Sequence, residues 1–393
     1  MSQLSYRRSR PELEIEEVSG RRERNAFLTM TTAIYADDRN WVAPLRLERK
    51  QYLDTARNPY FDHAEASFWL VRRGRQCVGR ISAQINHAHL AQHQDGTGHF
   101  GFLEAVDDPE VFALLLTTAE QWMRRRGMTR ALGPFSLSIN DECGLLVEGF
   151  ERKPFIMMGH ARSYYRTRIE EAGYRKAKDL VCYAVDPRAP LPAAADAVLE
   201  RLQNEENVTF RPLDMAHFER DVRSVVDIFN DAWSHHWGFV PLSERELKHL
   251  AATLKLLIRP GFISIAEIEG QPVAFAVSLP NLNEATADLG GRLFPLGWAK
   301  LIWRLKVRGV KSARMPLMGV RRHYQASALG MGLALGVIDA VRRENAKAGT
   351  AEAELSWILE DNRPVRRLIE MLGGKPSKVY RLYQKDLYQK DRA

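Results

Sequence analysis

The sequence predicts an α/β protein built from two similar domains, residues 1–186 and 187–393. The order of strand, helix and turn signals in the first half recurs in the second, which favours an internal duplication over chance. The stretch from Asp186 to Ala195 separates the halves, with three prolines in ten residues and no periodic apolar pattern. Such a composition is typical of a linker.

Each half begins with an apolar pair and an aromatic motif. The motif spans Trp41 to Leu45 in the first half and Trp237 to Leu242 in the second. Predicted hairpins follow at residues 67–86 and 262–281, and each turns at a central glycine. The two halves therefore open with the same succession of elements.

A short apolar strand and a long helix come next in both halves. The helices are predicted at residues 109–127 and 329–345. Each half then ends on a glycine, a lysine and a strand, which contains Tyr183 in the first half and Tyr383 in the second. These paired elements describe two copies of one α/β unit.

The composition is that of a globular protein. Hydrophobic residues make up 45% of the chain and charged residues 27%, which excludes disordered and collagen-like proteins. Three cysteines are too few for a disulfide framework, and no apolar run is long enough to span a membrane. No apolar stretch follows Arg7 and Arg8, so we expect no secretory signal. His87, His89 and His93 lack a nearby carboxylate or thiolate, so we expect no metal site.

The segment after residue 315 carries the chemistry. Pro316 to Val320 is a short apolar strand, and a loop of small residues runs from Arg321 to Gly330 into the second long helix. Several backbone N–H groups at such a helix start can point at one anion, and the helix dipole adds about half a positive charge there. The sequence therefore predicts a site suited to a pyrophosphate group.

This segment resembles the second half of a GNAT-type acyl-CoA N-acyltransferase domain. In that family the loop follows a six-residue pattern. It begins with Gln or Arg, continues with any two residues, Gly and any one residue, and ends with Gly or Ala. The matching residues are Gln325, Ala326, Ser327, Ala328, Leu329 and Gly330, with Ala328 in place of the first glycine. The order of elements after the loop also matches that of the family. It continues with a strand at residues 353–358, a helix capped by Asn362 and a strand at residues 379–385. The resemblance implies an α/β fold of two tandem GNAT domains, with mixed central sheets flanked by helices.

The resemblance also implies that acyl-CoA is the co-substrate and which residues bind it. The loop would hold the pyrophosphate, and Asn362 matches a family residue on the following helix. The strand residues whose backbone would pair with pantetheine and polarise the thioester carbonyl are Leu317, Met318, Gly319 and Val320. Many family members carry a tyrosine seven residues after that Asn, where it protonates the leaving thiolate, but this sequence has Ile369. Tyr380 and Tyr383 on the next strand are the nearest replacements.

The amine nucleophile must lose a proton, so we expect a carboxylate on or near the strand at residues 353–358. Alternation places Glu352, Glu354 and Ser356 on one face of that strand. Glu354 is central and flanked by apolar residues, and we predict it as the general base. The alternative is an ordinary carboxylate at the rim of the sheet.

The first half lacks the phosphate loop. Asp107 and Asp108 stand at the start of its long helix and would repel pyrophosphate. We therefore predict a degenerate copy that helps to form the acceptor pocket. Loops on a scaffold often carry binding groups, and the candidates in and after an irregular polar stretch are Asn140, Asp141, His160 and Tyr165. The alternative is a purely structural loop.

Residues 289–314 form a basic, aromatic insertion. On a helical wheel Trp298, Leu301, Ile302 and Leu305 share one arc, beside a stripe of Lys and Arg. The 50 residues from Leu289 to Ile338 hold nine Lys or Arg and no acid, so the excess of +8 charges belongs to this region. The insertion is either a helix buried between the domains or an element, at residues 293–314, that contacts an anionic membrane surface.

Three further segments are similar to a bacterial GNAT-like group that includes the ceramide synthases: Gly101 to Glu104, Met315 to Val320 and Glu354 to Asn362. The resemblance predicts an N-acyltransferase that moves a long acyl group from acyl-CoA to the amine of a lipid such as a sphingoid base. We expect it in the cytoplasm, free or on the inner face of the membrane. The alternatives are a short-chain acetyltransferase for a small-molecule or peptide amine, and a non-catalytic protein that binds acyl-CoA or nucleic acid. Aliphatic residues interrupt the basic run, so we expect no nucleic-acid partner.

Overall fold

A computed structural model describes residues 11–203, 207–255 and 258–388, so Arg7 and Arg8 lie outside the described residues. The first half contains both predicted hairpin strands and the predicted long helix. Its elements are β1 (Leu13–Glu17), α1 (Arg21–Thr29), α2 (Thr31–Ile34), α3 (Arg46–Tyr52), β2 (Ala64–Arg73), β3 (Gln76–Asn86), α4 (His87–His93), β4 (Thr97–Ala105), α5 (Pro109–Arg124), β5 (Arg130–Gly133), β6 (Phe135–Ser136), β7 (Glu142–Cys143), β8 (Leu145–Glu148), α6 (Tyr164–Glu171) and β9 (Arg175–Val185).

The second half repeats this order. Its elements are α7 (Ala193–Gln203), β10 (Val208–Pro212), α8 (Phe218–Trp233), α9 (Glu244–Lys255), β11 (Ile263–Ile268), β12 (Gln271–Pro280), α10 (Leu282–Thr286), α11 (Gly297–Trp303), β13 (Ser312–Val320), α12 (Arg322–Gln325), α13 (Ala328–Lys347), β14 (Glu352–Leu359), α14 (Arg363–Met371) and β15 (Lys375–Asp386). Both hairpins are confirmed, and their turns place Gly74 and Gly270 in the left-handed region, at φ +59° and +75°.

One continuous sheet joins both halves. Its strand order is β1-β2-β3-β4-β5-β15-β9-β14-β13-β12-β11-β10, and β8 pairs with β15 beside this path. Neighbours are antiparallel except for two parallel pairs, β4 with β5 and β13 with β14. The predicted mixed α/β architecture is confirmed, but the two expected sheets are joined into one.

The junction is an exchange of terminal strands. β15 from the end of the chain pairs with β5 of the first half, where Tyr383 lies opposite Gly133. β9 of the first half pairs with β14 of the second, where Leu180 lies opposite Leu359. β9 and β15 also pair with each other at the centre. The linker after residue 186 therefore separates the repeats along the chain, although their packing is shared, and the domain boundary stays a prediction.

Helices cover both faces of the second half's strands. Alternate residues of β12 point to opposite faces, as in any strand. Ala274 and Ala276 pack against apolar residues of α13, whereas Phe275 and Val277 pack against α8. Both faces of these strands are thus buried, and α8 and α13 flank the point where β13 and β14 meet. Among the described residues, no helix has the length and apolar composition to cross a bilayer.

Candidate active site

β13 and β14 separate part-way along their length and open a slot. They pair in parallel from Ser312 opposite Glu352 to Met315 opposite Leu355, where their pairing ends. β13 then continues to Val320 beside β12 alone. One backbone edge of its last residues therefore faces the slot and offers N–H and C=O groups to a ligand.

The register shows which backbone groups face the slot. The N–H of Arg321 donates to the carbonyl of Val273 at 2.8 Å, and hydrogen-bonded pairs alternate along an antiparallel ladder. Met318 and Val320 therefore turn their backbone groups away from β12 and into the slot. Leu317 and Gly319 were also predicted to pair with pantetheine through their backbone groups. These groups turn toward β12 instead.

Two side chains reach the carbonyl groups on this edge. The indole N–H of Trp233, the last residue of α8, donates to the carbonyl of Met318 at 3.1 Å. The amide of Gln325 donates to the carbonyl of Val320 at 2.9 Å and to that of Ala232 at 3.1 Å. These bonds leave the N–H groups of Met318 and Val320 as the donors that the edge offers to a ligand.

The small-residue loop ends at the start of α13, a helix of 20 residues. Ser327 caps it, because its hydroxyl accepts a hydrogen bond from the N–H of Gly330 at 3.0 Å. A side chain at Gly330 would place its Cβ 2.0 Å from the carbonyl oxygen of Tyr324, so the loop requires glycine there. Gln325 to Ala328 are exposed and Leu329 is half-buried. The helix start is thus open to an anionic ligand.

Asn362 and Ile369 hold the next helix in place. The side chain of Asn362 accepts a hydrogen bond from the N–H of Val365 at 3.4 Å and caps α14. Ile369, at the position where the family often has tyrosine, is buried beside Tyr183 and Leu355. No proton donor therefore stands at position 369.

Glu354 lies in the interior, next to the point where the strands separate. It stands opposite Arg314 of β13, and its carboxylate forms an ion pair with Lys378 of β15. Ser356 donates a second hydrogen bond to it at 3.2 Å. The side chains of Glu354 and Lys378 are 2% and 0% exposed. The carboxylate is thus close to the slot but already paired, and its role as general base stays a prediction.

Tyr380 and Tyr383 are buried on β15. The hydroxyl of Tyr380 donates to the carbonyl of Gly159 at 2.9 Å, and that of Tyr383 donates to Glu170 at 3.2 Å. Burial raises the pKa of Tyr383 to about 12 and that of Tyr380 well above its ordinary value. A higher pKa makes a phenol a weaker acid, and the role of either as proton donor stays a prediction.

Two relatives align with nearly the whole chain. It is 44% identical over 378 residues to a bacterial ceramide synthase from Caulobacter vibrioides (strain NA1000 / CB15N), covering 96% of this chain and 98% of that protein. The chain belongs to the bacterial ceramide synthase family. It is also 44% identical over 364 residues to Protein YghO of Escherichia coli (strain K12), covering 92% of both chains. No family model matches the sequence. Family membership and fold together make this protein an acyl-transferring enzyme.

Solved structures share the tandem GNAT fold of this ceramide synthase family member. A tandem GNAT protein from the clavulanic acid biosynthesis pathway has a TM-score of 0.57 at 13% identity, covering 97% of this chain and 100% of that chain. A GCN5-related N-acetyltransferase from Sphaerobacter thermophilus has a TM-score of 0.53 at 13% identity, covering 96% of each. The predicted fold class is confirmed. This fold implies an acyl-CoA co-substrate, and the open start of α13 and the slot edge fit one.

In this family member, the first half fills its own slot. β4 and β5 pair only from Thr97 to His99 and then separate, as β13 and β14 do. The chain at Phe135 crosses the gap, because a Cβ on Gly101 would lie 1.6 Å from the carbonyl oxygen of Phe135. Asp108 caps α5 with a hydrogen bond of 2.9 Å from the N–H of Glu110. The first half therefore offers neither an open slot nor an open helix start.

The four predicted acceptor residues do not form one cluster. Tyr165 is buried in the first half and donates to Glu104 at 2.7 Å, and His160 lies 2.9 Å from Asp38. Asn140 donates to the carbonyl of Val240 at 3.4 Å, so it lies where the halves meet. Asp141 is beside it and accepts a hydrogen bond of 2.7 Å from the hydroxyl of Ser138. All four hold the fold together, and their contact with an acceptor stays a prediction.

The histidines of the first half have a carboxylate neighbour that was not predicted. Asp95 lies 3.3 Å from His89, so the expectation that no carboxylate stands nearby was wrong. The rings of His93 and His99 contact that of His89, with centroids 4.5 and 4.8 Å away and interplanar angles of 37° and 85°. Within the ranges that the structure describes, no group of three or more His, Cys, Asp or Glu is arranged to hold a metal ion.

The insertion lies on the surface, so the interpretation as a helix buried between the halves is wrong. Phe294, Leu296 and Val307 are 75%, 73% and 72% exposed. The residues that are about half exposed are Trp298, Ile302 and Trp303. Lys300 and Arg304 of the basic stripe both pair with Asp288. The insertion thus presents an apolar surface bordered by cationic groups.

Trp233, which lies at the slot edge, and His236, whose ring contacts that of Trp233, were not predicted from sequence. Trp233 ends α8, and His236 directly precedes the aromatic motif that begins at Trp237. Recurrence of that motif in both halves was the available signal. The residue types alone gave no indication, since tryptophan and histidine are common in cores.

Proposed function

We propose that the protein transfers a long-chain acyl group from acyl-CoA to the amine of a lipid such as a sphingoid base. The observation that carries this proposal is the 44% identity to a bacterial ceramide synthase over 96% of the chain. The amine attacks the thioester carbonyl directly, giving an amide and free coenzyme A without a covalent enzyme intermediate.

The second half binds the donor in this proposal. The loop from Gln325 to Gly330, which leads into the start of α13, binds the pyrophosphate through backbone N–H groups and the helix dipole. The N–H groups of Met318 and Val320 donate to the pantetheine arm along the slot edge. Asn362 caps the helix that follows β14, at the same end of the sheet, and is proposed to contact the coenzyme.

The exposed insertion is proposed to contact an anionic membrane surface. Its exposed side chains combine tryptophan and aliphatic residues with Lys and Arg, a combination suited to the boundary of lipid headgroups. Lys306, Arg308 and Lys311 of the same region are exposed, so their charge complements anionic lipid. Contact of residues 293–314 with the membrane would bring the enzyme to a lipid acceptor.

The test is a transfer assay on the purified protein. Acyl-CoA donors of graded chain length are combined with a panel of amines that includes sphingoid bases, and coenzyme A release and the amide product are measured. We expect turnover with long-chain donors and a long-chain amine. Highest activity with two-carbon donors would contradict the lipid proposal and favour a short-chain acetyltransferase. Binding of acyl-CoA without turnover on any amine would favour a non-catalytic protein.

A further inference from the structure

We propose that His236 is the general base that deprotonates the amine acceptor and that Trp233 positions it. The backbone N–H of His236 donates to the carbonyl of Trp233 at 2.8 Å, which folds the chain back at the end of α8. The two rings then lie 5.3 Å apart between centroids, with an angle of 31° between their planes. The Trp233 indole is bonded to Met318 at the slot edge, so only this ring separates the imidazole from that edge.

The other side of the slot also reaches His236. Asp361 follows the carboxyl end of β14 and interacts electrostatically with the imidazole. It also pairs with Lys178 of β9 at 2.8 Å. His236 thus contacts the ring that is bonded to β13, and it lies within electrostatic range of the residue that follows β14. The two strands have separated here, where the proposed function puts the thioester.

The imidazole makes no hydrogen bond to another side chain in the part of the chain that the structure describes. Its Nδ1 is buried and has no hydrogen-bond partner among the described residues. Burial is the main effect on the pKa of His236 and lowers it. A hydrogen bond with the backbone of Trp233 and the charge of Asp361 raise the pKa, and His235 lowers it further, so that the net shift is downward. A neutral imidazole near pH 7 is a suitable general base for an ammonium group.

Glu354 fits this role less well. Its carboxylate is held by Lys378 and Ser356, and its side chain is 2% exposed. Removing Lys378 from this pair would leave a buried charge without compensation, so the pair acts as a structural unit. His236 is half-buried and needs no such rearrangement to meet a substrate.

The first half supplies an internal comparison. Trp41 and Trp237 begin the repeated motif, and the residue before each is Asn40 in the first half and His236 in the second. An asparagine amide cannot accept a proton at neutral pH. The half that fills its own slot therefore carries no base at this position, whereas the half with an open slot does.

The reaction step balances as follows for the proposed amine acceptor, on which this inference rests. His236 takes one proton from the ammonium group and becomes imidazolium beside Asp361. The amine nitrogen forms a bond to the thioester carbon, and the carbon–sulfur bond breaks on collapse of the tetrahedral intermediate. The nitrogen's second proton goes to the departing thiolate, and the imidazolium proton goes to solvent.

The test compares His236→Asn with His235→Asn. The first variant copies the residue of the first half, and the second changes an exposed neighbour. We expect kcat to fall about 100-fold or more in His236→Asn, while the Kd for acyl-CoA measured by calorimetry stays within about twofold. His235→Asn should keep nearly full activity. Circular dichroism melting checks that both variants fold, and His236→Gln provides a second neutral substitution.

A pH profile separates a base from a structural residue. Wild-type kcat should rise with pH through the pKa of His236, which lies below the ordinary value of about 6.5, and this limb should be lost in His236→Asn. A kcat for His236→Asn within about fivefold of wild type would overturn the inference and leave the transfer reaction intact. The inference would also be overturned if the rise of kcat with pH were kept in His236→Asn and lost in Glu354→Gln. Absence of wild-type turnover with every amine would instead overturn the proposed function and the inference with it.

Discussion

Gly330 shows how one missing side chain shapes the donor site. The chain turns so tightly at the start of α13 that Tyr324 would lie 2.0 Å from any Cβ at this position. The tight turn also lets Ser327 reach the Gly330 N–H and cap the helix. The geometry of the open helix start therefore depends on the absence of a side chain at Gly330.

Gly330→Ala should weaken acyl-CoA binding by about tenfold or more, since displacing the turn moves the N–H groups away from the anion. Calorimetric titration with acyl-CoA measures this. Gly332→Ala, on the same helix, is the control, because its Cβ would meet only the flexible Leu202 side chain, at 3.2 Å. Equal affinities in Gly330→Ala and wild type would show that the phosphates bind elsewhere.

Asp141 should make stability depend on pH. Burial raises the pKa of Asp141 to about 6, so the folded state holds a proton that the unfolded chain loses above about pH 4. Its contribution to stability is full below pH 4 and is lost as pH rises to about 6. Asp141→Asn removes this loss and should stabilise the protein above pH 6, by on the order of 2 kcal/mol, but not near pH 4.

Thermal or urea unfolding of Asp141→Asn across pH 4 to 8 measures this difference. Asp196→Asn, an exposed position on α7, is the control and should show no such pH dependence. A constant difference between Asp141→Asn and wild type over the whole range would contradict the prediction.

At the scale of elements, the site depends on where secondary structure stops. β13 and β14 pair over four residues and then separate, which frees one backbone edge. α8 ends beside that edge, and α13 begins at its far end. The insertion between β12 and β13 adds an exposed apolar helix, α11, to the same half. The proposed donor site and the proposed membrane contact thus belong to different elements attached to one strand.

Replacing Phe294, Leu296 and Val307 by serine should release the protein from membranes. Each buries apolar area worth about 1.5 to 3 kcal/mol when fully inserted, so partition should fall at least tenfold. Co-sedimentation with vesicles of anionic phosphatidylglycerol and neutral phosphatidylcholine measures binding, which should also weaken with salt. Leu47→Ser with Met215→Ser removes two exposed apolar residues elsewhere and is the control. Undiminished binding of the triple variant would place membrane contact outside the insertion.

At the scale of the whole molecule, strand exchange makes the two halves one folding unit. β15 completes the sheet of the first half, and β9 completes that of the second. The hydrophobic core around α5 includes Tyr380, Leu382 and Tyr383 from the far end of the chain. Neither half could bury its own core without a strand from the other.

The halves 1–186 and 187–393 should therefore fail to fold when expressed separately, because β5 and β14 would become exposed edge strands. Expressed together, they should co-purify as a complex with the circular dichroism spectrum of the intact chain. Size-exclusion chromatography and cooperative melting measure both outcomes. Two monomeric, cooperatively melting halves would contradict the shared-sheet interpretation.

The sequence by itself determined the α/β class, the duplicated order of elements, both hairpins and the glycine-dependent loop before α13. These features are local, because turn residues, caps and apolar periodicity act over a few neighbours along the chain. It also located the basic insertion, though not its exposure. The resemblance of short motifs extended this to the family.

Only the tertiary structure decided which residues meet. Exchange of β9 and β15, the pairing of Glu354 with Lys378, and the approach of His236 to the slot all join residues far apart in the chain. Such contacts depend on how strands pair and where pairing stops, which no local pattern specifies. A buried glutamate and an exposed one look alike in sequence, and only the fold shows that the carboxylate of Glu354 is already paired.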